Sequence, residues 1–279
     1  TDLSGKSFNV QLMKGDIGSG TKVAEQTVNI ETSGEGAWTG TYKFENINFS
    51  GNLINNTCNL SWFGLNTSLE QENAASDERK NTAVLTQVLA CIGPQLIIDG
   101  FYPISSLVTL SKSVSFVGAD WNEDLLKSSY DYSYEPKYGF YANGNKTSLF
   151  TLEKTCNLNI FGVYFKGSPE VFKNAKSIDN LPFTWAFILP TVGSLGSIYN
   201  CKIEGFMQGI RGIGGYLEKI QNTTFNACQV GLFTVWTSDF DVFGCKFTNC
   251  MPNIEVTMPD ENLTANDFNN AIIELYWST

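Results

Sequence analysis

Three stretches of the chain read Ile198-Tyr-Asn-Cys-Lys-Ile-Glu-Gly-Phe-Met-Gln-Gly-Ile210, Ile220-Gln-Asn-Thr-Thr-Phe-Asn-Ala-Cys-Gln-Val-Gly-Leu232 and Val242-Phe-Gly-Cys-Lys-Phe-Thr-Asn-Cys-Met-Pro-Asn-Ile254. They superimpose at a fixed spacing of 22 residues. Ile198, Ile220 and Val242 share a column, as do Ile203, Phe225 and Phe247, and Ile210, Leu232 and Ile254. Cys201, Thr223 and Cys245 fall in step, and so do Phe206, Cys228 and Cys250. A repeat of roughly 20 to 50 residues signals a solenoid, whose units bury their inner faces only by stacking on one another. Asn200, Asn222 and Gly244 also share a column. Asn and Gly tolerate the left-handed backbone that a tight corner demands, so each unit reads as strand, corner, strand.

Outward from the repeat, Ile160-Phe-Gly-Val-Tyr-Phe-Lys-Gly167 matches Ile198–Gly205 and extends the stack toward the N-terminus. Short strand-like bursts at 96–98, 102–104, 107–110 and 114–117 extend it further, with Gly100, Pro103 and Gly118 at corners. Between these units, 119–148 and 168–181 read as insertions. Val84, Leu85, Val88 and Leu89 fall on one helical face, with Asn81 or Thr82 as N-cap and Gly93-Pro94 as the stop. Such a helix suits a cap over the open end of a stack. Residues 1–58 read as a small β-rich subdomain, 59–95 as linker and capping helix, 96–258 as the solenoid and 259–279 as a closing cap. A leucine-rich repeat has a similar period, but the repeat columns hold Ile, Phe, Val and Cys rather than Leu.

Composition narrows the chemistry. Charged residues are only 16% of the 279, so Asn, Ser, Thr and Gly must supply much of the polar surface, as stacked strands and turns allow. Net charge is −10 and Arg79 and Arg211 are the only arginines, which argues against nucleic acid as a partner. There is no histidine, which removes the Ser–His–Asp triad, the Cys–His pair and His-ligated zinc. No run of about 20 apolar residues is present, so no membrane-spanning helix is expected. Seven cysteines without CxxC spacing read as buried thiols packing as small apolar groups, with disulfides or metal binding as the alternatives.

The order Ser61-Trp-Phe-Gly64, helix, strand, Asp99-Gly-Phe-Tyr-Pro-Ile-Ser105, Val114-Ser-Phe-Val-Gly118 resembles the start of pectate-lyase-like right-handed parallel β-helix proteins, among them phage tailspikes and bacterial polysaccharide-acting proteins. The coils at Ile198 and Ile220 are similar to that family's too. The resemblance covers about residues 60–258. It implies an all-β fold, a single-stranded right-handed parallel β-helix of about five or six coils, at the cell exterior or on a virion surface, with a polysaccharide as partner. It also implies an active groove along one exposed sheet, with an arginine as base in the related lyases. The polygalacturonase-like members rely on a histidine, which this chain lacks.

Candidate site residues follow from the columns. Residues after Ile210, Leu232 and Ile254 point outward, which makes Arg211, Phe233 and Glu255 a strip with its ends about 10 Å apart. Trp236 follows on the same segment as Phe233. Asp239 and Asp241 share a side if extended, and such a pair can act as acid and base on a glycoside or hold calcium. Lys219, one coil below Asp241, offers a simpler cross-coil charge pair. The 119–148 insertion carries Trp121, Tyr130, Tyr132, Tyr134, Tyr138 and Tyr141. Such rings stack on sugar faces, or pack the loop onto the solenoid, or meet a second copy in a homo-oligomer. Two readings stand: a polysaccharide lyase or glycosidase without a cofactor, or a non-catalytic glycan-binding, adhesion or structural module.

Overall fold

The computed structural model of the chain describes residues 7–14, 21–29, 57–91, 95–127, 134–153, 156–173, 181–189, 194–213, 216–235, 241–250 and 273–276. Among these residues the strands gather into one antiparallel hairpin and three parallel sheets. The hairpin pairs Ser7–Lys14 with Thr21–Asn29. The first sheet contains Thr57–Asn59, Gln95–Ile98, Val114–Gly118, Asn157–Phe161, Ser194–Tyr199, Tyr216–Gln221 and Asp241–Phe243. The second contains Phe101–Ile104, Gly139–Ala142, Tyr164–Lys166, Lys202–Glu204, Thr224–Asn226 and Lys246–Thr248. The third contains Val108–Leu110, Phe150–Leu152, Trp185–Leu189, Gln208–Ile213, Val230–Val235 and Ile273–Tyr276. After Thr57–Asn59 the chain visits first, second and third sheet in turn, six times over, so this is a parallel β-solenoid arrangement.

The repeat columns are physical neighbours. Ile198 pairs with Ile220 and Ile220 with Val242, while Ile203, Phe225 and Phe247 do the same in the second sheet. Extended over all six rungs, one inner column runs Leu96, Phe116, Ile160, Ile198, Ile220, Val242. A second runs Tyr102, Phe140, Phe165, Ile203, Phe225, Phe247. The third runs Val108, Phe150, Phe187, Ile210, Leu232, with the backbone of Ile273 in register beyond Leu232. Phenylalanines of different sheets meet in the middle, Phe165 edge-on to Phe187 at 4.5 Å and Phe140 edge-on to Phe150 at 5.1 Å. Each fully buried large apolar side chain contributes about 1.5–3 kcal/mol relative to exposure. The stacking of like side chains is therefore what holds the rungs in register.

The corners follow the same logic. Gly162, Asn200, Asn222 and Gly244 occupy one corner column, all left-handed with φ between 50° and 63°. Their amides keep the ladder intact, Asn200 N–H donating to Gln221 O at 3.1 Å and Asn222 N–H to Phe243 O at 3.0 Å. A second column, Gly205, Ala227 and Asn249, turns the chain from the second sheet toward the third, again with positive φ.

Three expectations need correction. The 119–148 stretch is not wholly an insertion, since Gly139–Ala142 is the second-sheet strand of its rung. Phe140 is core there, and Tyr141 lies in register with Lys166. The partner of Leu232 is Ile273, not Ile254, because the last rung takes its third-sheet strand from Ile273–Tyr276, a closing strand rather than a helix. The helix Asn81–Cys91 forms and buries Val84, Leu85, Val88 and Leu89, but Asn81 does not cap it. The fully buried Glu72 carboxylate accepts the Asn81 amide at 3.0 Å, together with Asn66 Nδ2 at 2.8 Å and Ser105 Oγ at 2.6 Å. The Asn81 side chain instead ties Asn66 to Pro103, donating to both carbonyls at 2.8 and 2.9 Å. The proposed stop, Gly93-Pro94, lies outside the described residues.

The cysteines behave as small apolar groups. Cys58, Cys156, Cys201, Cys228, Cys245 and Cys250 are free thiols. Thiols in the columns point at strand carbonyls, such as Cys201 Sγ to Tyr199 O at 3.2 Å. Among the described residues, no helix is long and apolar enough to cross a membrane.

Candidate functional site

Arg211 sits mid-strand in the third sheet, with Ile188 and Phe233 as its register neighbours. Its guanidinium carbon lies 5.3 Å from the Phe233 ring centroid and 4.9 Å from that of Phe183. Nη1 donates to Gln208 Oε1 at 2.6 Å. Trp185 stands edge-on to Phe183 at 5.6 Å, and Phe183 is 54% exposed. A cation over an aromatic face is worth about 0.5–2 kcal/mol, and two such faces hold a long flexible side chain in one pose. Burial lowers the pKa of Arg211 from its ordinary value. The result is a partly exposed strip of rings around a fixed cation, one of whose five N–H donors is committed to Gln208. Rings of this kind stack on sugar faces and a guanidinium fork binds carboxylates or hydroxyls.

The strip differs from its expected form at both ends. Phe183, which precedes the strand Trp185–Leu189, adds a ring that the repeat columns do not contain. At the other end, Phe233 is in register with Glu274 rather than Glu255. Glu255 itself, Trp236, Asp239, Tyr130 and Tyr132 lie outside the described residues. Asp241 is exposed in the first sheet, in register with Lys219, the cross-coil neighbour expected for it. Arg211 and Asp241 thus stand on different sheets and build no common centre.

Trp121 and Tyr134 pack onto the corner of the first sheet. Trp121 Nε1 donates to the corner residue Asn200 at 3.2 Å, and its ring lies 4.8 Å from Phe161, which in turn stacks on Tyr199 at 5.5 Å. The Tyr134 hydroxyl donates to Asp120 Oδ1 at 3.2 Å. Burial, and then the Asp120 charge, hold its phenol far above the ordinary range. Both rings close over Gly162, where a Cβ would come within 2.5 Å of Trp121 Cβ and of the Tyr134 hydroxyl. They shape a wall rather than project from one.

That wall encloses a groove. Tyr134 and Glu135 face the outer surface of the second sheet across a cavity of about 220 Å³. Lys202, Thr224 and Lys246, one column at successive rungs, line the sheet side. Asn226 and Thr248 of the next outward column complete it. Lys202 Nζ is 3.4 Å from Glu204, which also accepts the Tyr164 hydroxyl at 2.9 Å. The sequence reading missed this groove, although the column Lys202, Thr224, Lys246 was open to it in the 22-residue spacing. Among the described residues, no group of three or more Asp, Glu, Cys or His side chains could hold a metal ion. Asp239, half of the calcium option, lies outside them.

Compared with models of protein families, with curated proteins and with solved structures, the chain matches none.

Proposed function

We propose that this chain is a right-handed parallel β-helix that binds a polysaccharide at the cell exterior or on a virion surface, laying the glycan along the outer face of the third sheet. Support for the hand comes from a general rule. Crossovers between parallel strands of one sheet are right-handed in about 98% of cases. The observation that carries the binding reading is the Arg211 guanidinium held between Phe183 and Phe233. A rung spacing of about 4.8 Å then sets ring and cation at a repeat suited to a polymer of rings. One observation favours the lyase reading: burial moves the pKa of Arg211 in the direction a guanidine base requires.

A single experiment addresses both. Polysaccharides are screened for binding and for unsaturated or reducing-end products, first with the natural chain and then with Phe183→Ala and Arg211→Ala. Loss of one well-packed aromatic or arginine anchor at a binding face costs upward of about 1.4 kcal/mol, so each variant is expected to bind about tenfold or more weakly. Affinity unchanged in both variants would remove the strip from the binding face. Product formation abolished by Arg211→Ala would establish the lyase.

A further inference from the structure

We infer that Asn143 is a site of self-modification, at which the Gly144 backbone nitrogen closes on the Asn143 side chain and converts it to aspartate and isoaspartate. Asn143-Gly144 is the only Asn-Gly pair in the chain. It follows the strand Gly139–Ala142 and leads into a turn. The reaction needs no ligand, so it stands apart from the glycan-binding reading.

The attacking side is open. Gly144 is exposed with φ +105°, and a Cβ there would meet nothing nearer than Thr147 Oγ1 at 3.9 Å. Without a side chain, glycine lets another group approach its backbone closely. The turn is pinned through its carbonyls: Thr147 Oγ1 donates to Asn143 O at 3.0 Å and Thr147 N–H to Gly144 O at 3.4 Å. Among the described residues the Gly144 N–H donates to no acceptor. In the reaction that N–H gives its proton to hydroxide and a bond forms between Gly144 N and Asn143 Cγ. The Cγ–Nδ2 bond breaks, and the nitrogen takes a proton from water and leaves as ammonia. The five-membered imide then adds water at either carbonyl. One opening gives aspartate and the other isoaspartate, with no change in oxidation state.

The leaving side is held. Asn143 Nδ2 donates to Asn73 Oδ1 at 2.8 Å and to Ser105 Oγ at 3.2 Å. Asn73 lies beside Glu72 on the short helix Leu69–Ala74. Ser105 commits its one proton to Glu72 Oε1 at 2.6 Å, so toward Asn143 it can only accept. These bonds keep the amide turned to the cap and govern how often it swings back to Gly144. Conversion reverses their sense. A carboxylate at 143 has no proton for Asn73 Oδ1 or Ser105 Oγ, and it stands one hydroxyl away from the buried Glu72 carboxylate. That same carboxylate accepts the Asn81 amide at the start of the helix Asn81–Cys91. The modification therefore loosens the tie between the second rung and the cap.

The test holds the natural chain with reductant at about pH 7 and about pH 8.5. Asn143 is followed by peptide mass mapping and by an isoaspartate methyl-acceptor assay. Acid should accumulate at Asn143 ahead of every other mapped asparagine, faster at the higher pH, with isoaspartate among the products. Losing one hydrogen bond shifts an opening equilibrium about two- to tenfold, so Asn73→Ala and Ser105→Ala should each react faster by about that factor. Asn143→Gln, whose ring would need six members, should not convert. Cys228→Ala, which weakens the fold near the other end of the stack, should react at the natural rate. Asn143→Asp, the product itself, should melt roughly 4 °C lower. Asn143 intact when a free peptide of residues 139–147 has fully converted would overturn the inference. So would aspartate without isoaspartate, which marks direct hydrolysis, or an unchanged rate in both Asn73→Ala and Ser105→Ala. Acceleration by Cys228→Ala to match them would also do so, by making global unfolding the route. Asn143→Asp melting with the natural chain would remove the effect on the cap.

Discussion

Gly139→Ala is expected to cost about 4 kcal/mol or more, enough to unfold a domain whose whole margin is about 5–15 kcal/mol. A Cβ at Gly139 would lie 1.8 Å from the carbonyl oxygen of Tyr164 and 2.6 Å from its carbonyl carbon. Those are backbone atoms of the next rung, fixed by the Tyr164 amide donating to Tyr138 O at 2.9 Å and by continuous pairing to Lys202 beyond. No rotamer relieves the clash, so relief would have to come from parting two rungs, which also parts Phe140 from Phe165 in the core. Gly144→Ala supplies the contrast. Its φ of +105° is unfavourable to a side chain, but a Cβ there meets nothing nearer than Thr147 Oγ1 at 3.9 Å. Backbone strain alone costs about 1–2 kcal/mol. Circular-dichroism melts of the two variants separate these effects. A Gly139→Ala protein melting with or above Gly144→Ala would show that the rungs yield easily, and that the stack is looser than its aromatic contacts imply.

What could be read from sequence follows from the same geometry. Ile198, Ile220 and Val242 were legible because a rung sets like residues directly over one another, so register appears as period. Asn200, Asn222 and Gly244 were legible because few residues accept left-handed backbone. The second corner was not, because it includes Ala227 at φ 50°, a residue that disfavours that conformation by about 1–2 kcal/mol and gives no hint of it. Gly139–Ala142 reads as insertion because it sits 38 residues after Phe101–Ile104, which it pairs with, and so falls outside the 22-residue period. Of the candidate site, Arg211 and Phe233 were legible as column neighbours. Phe183 was not, since it reaches Arg211 from a connection ahead of its strand rather than from a column. Glu72 was read as part of a polar linker, yet it is fully buried and caps the helix that closes the stack.

The stacked thiols carry the second large effect, a steep loss of stability in alkali. Cys201 and Cys228 are 2% and 0% exposed. Burial pushes Cys201 up from the ordinary thiol value of 9.0 to about 12, and Cys228 higher still. Cys58 and Cys245 rise to about 11 for the same reason. Below pH 9 folded and unfolded chains both hold these protons, and the thiols leave stability independent of pH. Above it the unfolded chain releases them while the folded chain retains them, so the folded state binds more protons and unfolding becomes easier as pH rises. Each fully buried thiol then removes up to about 1.4 kcal/mol per pH unit, and Cys201 and Cys228 together remove about 5 kcal/mol between pH 8 and pH 11. The phenols of buried Tyr102 and half-buried Tyr134 and Tyr164, all raised, act in the same direction once their unfolded forms ionise. Urea midpoints measured with reductant at half-unit steps should be level to about pH 9 and then fall. Cys228→Ala should start lower at neutral pH, from the lost side chain, but fall less steeply. A midpoint level to pH 11, or a Cys228→Ala slope equal to that of the natural chain, would mean the thiols reach water and the columns at Cys201 and Cys228 are not sealed.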